Sequence, residues 1–328
     1  MHQTKLTLIK QLDMELVGGC NYSCFMCPQG IDGREKDFKK SLPYDIFTKI
    51  VDDAVNHGVE GISLHGSGEP TLCKWLPDAV RYIKNKNNDI KVLVVSNGFR
   101  LTPDLSQELI NARLDILRLS VIGYNNESYK KSMMCDGFEI VRKNAQTYKK
   151  LLNSSGSTGE LQSYHTILDP QNIEHEIDEY RRNWINPVGS MAEIWMLHNW
   201  AGSFDGASSR KELRKQRSCG RMFKPMLQVR AGANGYGKYG SVAPCCMVLG
   251  QDSKAELGTL DTQTIEEVLS GYQMSHLRKM HAEGRWNEID YCRGCDQLYE
   301  APESLVWTNI EERKYGHSKL IAGMKIDD

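Results

Sequence analysis

The chain has 328 residues, 40% hydrophobic and 25% charged, with a formal net charge of −1 and a pI near 6.8. That length buries one large core and a smaller one, and the charge balance gives no general pull toward nucleic acid or a membrane surface. Ten cysteines, in a chain with no apolar leader and no run able to span a bilayer, argue for metal ligation in a reducing cytosol rather than disulfides.

A first strand is expected over Leu12–Val17. It runs into Gly18-Gly19-Cys20-Asn21-Tyr22-Ser23-Cys24-Phe25-Met26-Cys27-Pro28, which sets Cys20, Cys24 and Cys27 at CX3CX2C spacing. Soft thiolates select zinc, copper(I) or iron–sulfur clusters. Structural zinc usually takes four ligands in paired short spacings, which this loop lacks. An iron–sulfur cluster with one iron left open to an outside ligand fits better.

Short apolar runs then alternate with amphipathic stretches, the pattern of βα units on a parallel sheet. Further strands are expected at Gly61–Leu64, Lys91–Val95, Ile116–Val121, Leu161–Ile167 and Glu193–Leu197. Helices are expected at Tyr44–His57, Leu76–Lys84, Asp104–Asn111, Glu139–Leu152 and Ile173–Arg182, with Pro43 and Pro77 at helix starts and Gly58 at an end. In such a fold the chemistry sits at the C-terminal ends of the strands. The second strand is followed by His65-Gly66-Ser67-Gly68-Glu69-Pro70, the third by Ser96-Asn97-Gly98, and the fourth by Ser120-Val121-Ile122-Gly123. The polar run Asn153–Gly159 reads as a loop.

After the sixth strand come His198-Asn199-Trp200-Ala201-Gly202 and a polar, basic stretch from Gly206 to Arg217 that marks a domain boundary. Beyond it lie Cys219, Cys245 and Cys246, and a CX2C at Cys292 and Cys295 of the kind that clips a metal from a tight turn. Phe223–Val229 and Val242–Cys246, joined by a turn at Gly235, Gly237 and Gly240, read as a β-hairpin with a cysteine at each end. Four such thiolates would close a [4Fe–4S] site or hold zinc, and spacing does not separate the two. The tail after Tyr299, with Trp307 and the charged run Glu311-Glu312-Arg313-Lys314, reads as a helix.

The CX3CX2C loop after strand one, Gly68-Glu69 after strand two and Ser96-Asn97-Gly98 after strand three resemble the radical SAM superfamily. The segment from Cys219 to Gln297, including Leu257-Gly258-Thr259-Leu260 and Ile265-Glu266-Glu267-Val268-Leu269, looks like its C-terminal SPASM extension. The single-cluster twitch form is indicated, since no cysteine follows Cys295.

The resemblance implies an α/β fold: a partial (β/α)6 TIM-like barrel over residues 1–205, a small twitch domain of β-hairpin plus helix over 206–300, and a tail over 301–328. It implies that Cys20, Cys24 and Cys27 hold a SAM-binding [4Fe–4S] cluster. Gly68 and Glu69 would hold the ammonium of S-adenosylmethionine, with Ser96, Asn97 and Ser120 along its ribose and methionine. Cys219, Cys245, Cys292 and Cys295 would hold a second, auxiliary [4Fe–4S] cluster. Cys245 is preferred as ligand because it follows the Val-Ala-Pro run, which leaves Cys246 as a candidate hydrogen donor.

The implied activity is reductive cleavage of SAM to a 5′-deoxyadenosyl radical. That radical takes a hydrogen from a small hydroxylated substrate, a sugar, aminocyclitol or related metabolite. Oxidation to a ketone follows, with the auxiliary cluster as electron acceptor and His165, His198 or an arginine as proton acceptor. An epimerase with a cysteine donor is the alternative; a peptide-modifying maturase and a non-enzymatic iron–sulfur protein stand behind both. The electron donor is expected to be a flavodoxin- or ferredoxin-type protein, and the enzyme cytoplasmic, with no membrane or nucleic-acid partner.

Overall fold

The computed structural model describes residues 8–31, 40–204, 216–233, 237–248, 255–299 and 306–307. The glycine-turn residue Gly235, most of the basic boundary stretch and the charged tail run lie outside them. Among the described residues the strands are β1 (Gln11–Met14), β2 (Gly61–Leu64), β3 (Lys91–Ser96), β4 (Ile116–Ser120), β5 (Glu160–Ile167), β6 (Met191–Met196), β7 (Met226–Val229), β8 (Val242–Ala243) and β9 (Val306–Trp307). The chain divides into two compact units. One comprises Met1–Cys20, Met26–Gly68 and His198–Ala301, the other Asn21–Phe25, Glu69–Leu197 and Pro302–Asp328.

In the first unit β1 lies parallel to β2, Gln11 opposite Gly61, and parallel to β7, Gln11 opposite Met226. All four residues of β1 are buried. Alternation along the strand puts Leu12 and Met14 on one face and Gln11 and Asp13 on the other. The polar face is satisfied internally, Gln11 Nε2 donating to Asp13 Oδ1 at 2.6 Å. The expected hairpin forms, β7 pairing antiparallel with β8 through Gln228–Ala243 and Val229–Val242. The sequence did not reveal that β7 also adds to β1, because a strand's partner across more than 200 residues leaves no local mark.

The second unit is a parallel sheet, β3 to β4, β4 to β5 and β5 to β6. Helices Leu76–Lys86 and Phe138–Ser154 pack on it. Val92, Val94, Leu117, Leu119, Leu161, Ala192 and Ile194 form its buried apolar face. Leu76–Lys86 and Pro103–Asn111 both start with proline in the first turn, and Thr102 caps the latter by accepting from Leu105 N. A helix at Asn126–Met133 was not anticipated. Its apolar periodicity is weak, and its start is set by a capping box in which the Asn125 and Ser128 side chains each bond the other's backbone N–H. The tail is not helical where it is described: Val306–Trp307 pairs antiparallel with β6, as edge-strand geometry rather than composition dictates.

Gly123 turns the chain from β4 toward that unexpected helix at φ +118°, and a Cβ there would overlap the backbone N and Cα of Tyr129. Gly123→Ala is expected to cost about 2 kcal/mol or more, read as a lower urea midpoint at unchanged m. An unchanged midpoint would show that the turn has room to relax.

Candidate functional site

In the second unit the organising group is the Glu69 carboxylate, 3% exposed. Its Oε1 accepts from Thr71 N (3.0 Å), Thr71 Oγ1 (2.7 Å) and Ser96 Oγ (2.7 Å), and its Oε2 from Asn97 N (2.8 Å). Burial pushes this carboxyl up, while the donors from Asn97, Ser96 and Thr71 pull it back. The knot joins the turn after Glu69 to the end of β3. Ser96 Oγ in turn accepts from Gly98 N (2.9 Å), and Asn97 Nδ2 donates to Asn21 Oδ1 (2.8 Å) in the cysteine loop.

Residues Asn21–Phe25 of that loop rest on helix Asn126–Met133. The Tyr22 and Tyr129 hydroxyls meet at 3.2 Å, Phe25 N donates to Ser132 O at 3.1 Å, and Cys24 Sγ sits 3.7 Å from Met133 Sδ. Ser120 ends β4 half-buried, opposite Tyr164 of β5. Lys130 pairs with Asp136 at the surface.

In the first unit a carboxylate missed by sequence reasoning, Glu15, plays the matching part. Its Oε2 accepts from Ser67 N and Ser67 Oγ, both at 2.6 Å, and from Gly68 N at 3.3 Å; its Oε1 accepts from Ala231 N at 3.3 Å. Ser67, where the superfamily resemblance would place glycine, thus has a defined use. Gly68 is forced by close approach: a Cβ would overlap the Val17 carbonyl oxygen and stand 2.7 Å from that of Gly19, just ahead of Cys20. Glu15 could have been suspected from β1, where a carboxylate at a buried strand end needs donors.

None of the ten cysteines is in a disulfide, and Cys20, Cys24 and Cys27 are half-buried. The first unit gathers Cys219, Cys245, Cys292 and Cys295. Burial raises the Cys245 thiol to about 11 and Cys295 to about 12, and it pushes Cys292 up further. Cys219 and Cys245 both add to the shifts of Cys292 and Cys295 by charge repulsion. Cys219, Cys245, Cys292 and Cys295 thus lie close enough to feel one another's charge, a set of thiolates that a cationic iron–sulfur core would neutralise.

Among the described residues no three His, Cys, Asp or Glu side chains crowd one point as a single ion requires; a cluster takes its thiolates on separate irons. Cys246 Sγ accepts from Arg221 Nη1 at 3.4 Å, and with Cys245 it lines a shallow open cleft. Arg230, fully buried, donates to the carbonyls of Cys245 (3.4 Å) and Val248 (2.5 Å) and so shapes the cysteine turn.

The Asn199 element is a clamp on the CX2C. Asn199 Nδ2 donates to Gly294 O (2.7 Å), its Oδ1 accepts from Asp296 N (3.0 Å), and its N donates to Asp296 Oδ2 (2.9 Å). Trp200 and Ala201 beside it hold positive φ of 48° and 57°, a strained stretch kept by those bonds. His165 is corrected as a proton acceptor. It is fully buried on the sheet's other face, its Nδ1 accepting from Gly123 N (3.1 Å) and its Nε2 donating to Glu176 Oε1 (2.8 Å). His198 is buried in the first unit, 3.2 Å from Gln297 Nε2.

The radical SAM superfamily model matches residues 14–175, and the SPASM iron–sulfur cluster-binding domain model matches residues 237–296. The chain therefore carries a radical SAM domain and a SPASM domain on an α/β fold with a parallel sheet. These domains imply a SAM-binding [4Fe–4S] cluster, SAM itself and auxiliary iron–sulfur ligation.

Among solved structures it resembles BtrN in complex with AdoMet and 2-DOIA, at 17% identity and TM-score 0.56 over 88% of this chain and 93% of that one. BtrN is a radical SAM dehydrogenase acting on 2-deoxy-scyllo-inosamine. Streptococcus suis SuiB bound to precursor peptide SuiA matches at 12% identity and TM-score 0.60, over 89% and 70% of the two chains. Both likenesses are of fold. A probable GTP 3′,8-cyclase of Methanococcus maripaludis is 31% identical over 135 residues, 41% of this chain and 44% of that protein. The match thus spans less than half the length of that relative. No described helix is long and apolar enough to cross a membrane.

The two adjacent cysteines are separable by experiment. After anaerobic reconstitution Cys245→Ser is expected to lose about four irons per chain, whereas Cys246→Ser keeps them. The reverse pattern would make Cys246 the ligand.

Proposed function

We propose that this enzyme oxidises an alcohol of a small hydroxylated substrate, a sugar, aminocyclitol or related metabolite, to a ketone. In this reading Cys20, Cys24 and Cys27 hold the SAM-binding cluster, and Cys219, Cys245, Cys292 and Cys295 hold the auxiliary one. When bound, the first cluster supplies the electron that splits SAM to methionine and a 5′-deoxyadenosyl radical, and the second supplies an acceptor for the electron a hydroxyl-bearing carbon radical gives up. The observation that carries the reading is that Cys219, Cys245, Cys292 and Cys295 lie close enough for their charges to interact, a donor set suited to an electron sink.

Gly68, Glu69, Ser96, Asn97 and Ser120 are assigned to SAM. The Glu69 knot gives that edge a rigid polar frame before any ligand arrives. A flavodoxin- or ferredoxin-type protein is assigned as electron donor, and the compartment as cytoplasmic. Cys246, in the wall of the cleft beside Cys245, supports a second reading as an epimerase with a thiol hydrogen donor. The likeness to GTP cyclases, limited to part of their length, brings no substrate with it.

Iron, sulfide and EPR on anaerobically reconstituted enzyme test this. About eight irons are expected in the wild type and about four in Cys20→Ala/Cys24→Ala/Cys27→Ala, with a product two hydrogens lighter than its substrate. Only four irons in the wild type would remove the electron sink, and a product of unchanged mass would favour the epimerase.

A further inference from the structure

We infer that one face of β4, β5 and β6 binds a saturated, polyhydroxylated ring through an aromatic platform of Tyr164 and Trp195. The inference rests on the proposed alcohol oxidation for its context and extends it by naming the residues that read the substrate.

The register places Arg118 and Ser120 of β4, Gln162, Tyr164 and Thr166 of β5, and Glu193 and Trp195 of β6 on the same face, opposite the apolar one. Tyr164 and Trp195 stack at 5.2 Å between centroids and 16° between planes, and both remain half-buried. Arg118 donates from Nε (3.0 Å) and Nη2 (2.7 Å) to Gln162 Oε1, and its Nη1 lies 4.0 Å from Glu193 Oε2. Arg118 and Glu193 are 7% and 2% exposed, so their charges are aimed and held away from bulk water. Thr166, 4% exposed, has a buried Oγ1 with no hydrogen-bond partner. A buried hydroxyl left unpaired is unfavourable, and a ligand hydroxyl would satisfy it.

These features suit one chemistry. A saturated ring offers a face of C–H bonds to an aromatic plane and a rim of hydroxyls to hydrogen-bonding groups. Thr166, Glu193 and Arg118 supply donors and acceptors on the face of the stacked pair. Charge argues against a nucleotide: among the described residues of this face Arg118 stands against Glu160 and Glu193, and a triphosphate would meet more carboxylate than cation.

The test is equilibrium dialysis of labelled myo-inositol, glucosamine, glucose and GTP against the reconstituted full chain with SAM, without reductant. At least one of the ring polyols is expected to bind. Trp195→Ala and Thr166→Val are each expected to weaken it by about tenfold or more, while Trp195→Phe, which keeps an aromatic face, retains it. Retained binding in the phenylalanine variant separates a lost platform from a lost fold. No polyol binding, equal affinity in wild type, Trp195→Ala and Thr166→Val, or binding of GTP alone would overturn the inference. Binding is read without turnover, so the platform is judged separately. A wild-type enzyme that forms no 5′-deoxyadenosine on reduction would instead overturn the proposed reaction.

Discussion

A carboxylate taken out of water keeps its charge only where each lone pair meets a donor. Burial pushes the Glu69 carboxyl up, and four hydrogen bonds oppose that push, three to Oε1 from Thr71 and Ser96 and one to Oε2 from Asn97. The bonds tie a turn to a strand end 27 residues away, and through Asn97 they reach Asn21 in the cysteine loop. In the other unit Glu15 imposes the same demand on Ser67, Gly68 and Ala231. Each unit thus has its strand ends fastened by one buried carboxyl group, so the residues assigned to SAM stand in turns with little freedom to move.

The second constraint is the period of two along a strand. It separates Tyr164 from His165: the tyrosine joins Ser120 and Glu193 on the polar face, while the histidine is sealed behind the sheet with Glu176. A single residue of register decides which ring could meet a small molecule. The same rule turns the aromatic and charged residues of β5 and β6 to one side of the sheet.

The cysteine-rich segment depends on different physics. Burial and the nearness of the other thiols hold Cys245, Cys292 and Cys295 above the usual thiol range, and a bound cationic group would favour their thiolates. The Asn199–Asp296 clamp and the Arg230 contacts to the Cys245 turn keep that arrangement in place. Strained backbone at Trp200 and Ala201 is tolerated there because several bonds determine its course.

The order of strands and helices was legible in the sequence alone, since apolar period, proline starts and glycine turns are local. Gly61–Leu64 forms where expected, and the other early strands differ by a few residues at their ends. The CX3CX2C and CX2C spacings were legible for the same reason, because ligands on one short loop must be close in sequence. The helix at Asn126–Met133 escaped because a capping box, not an apolar stripe, starts it. Only the tertiary structure decided that β7 joins β1, that Glu15 and Glu69 are fastening groups, and that His165 is sealed away. Each depends on a partner distant in the chain or on which side of a strand is covered, and neither is written in the residues beside it.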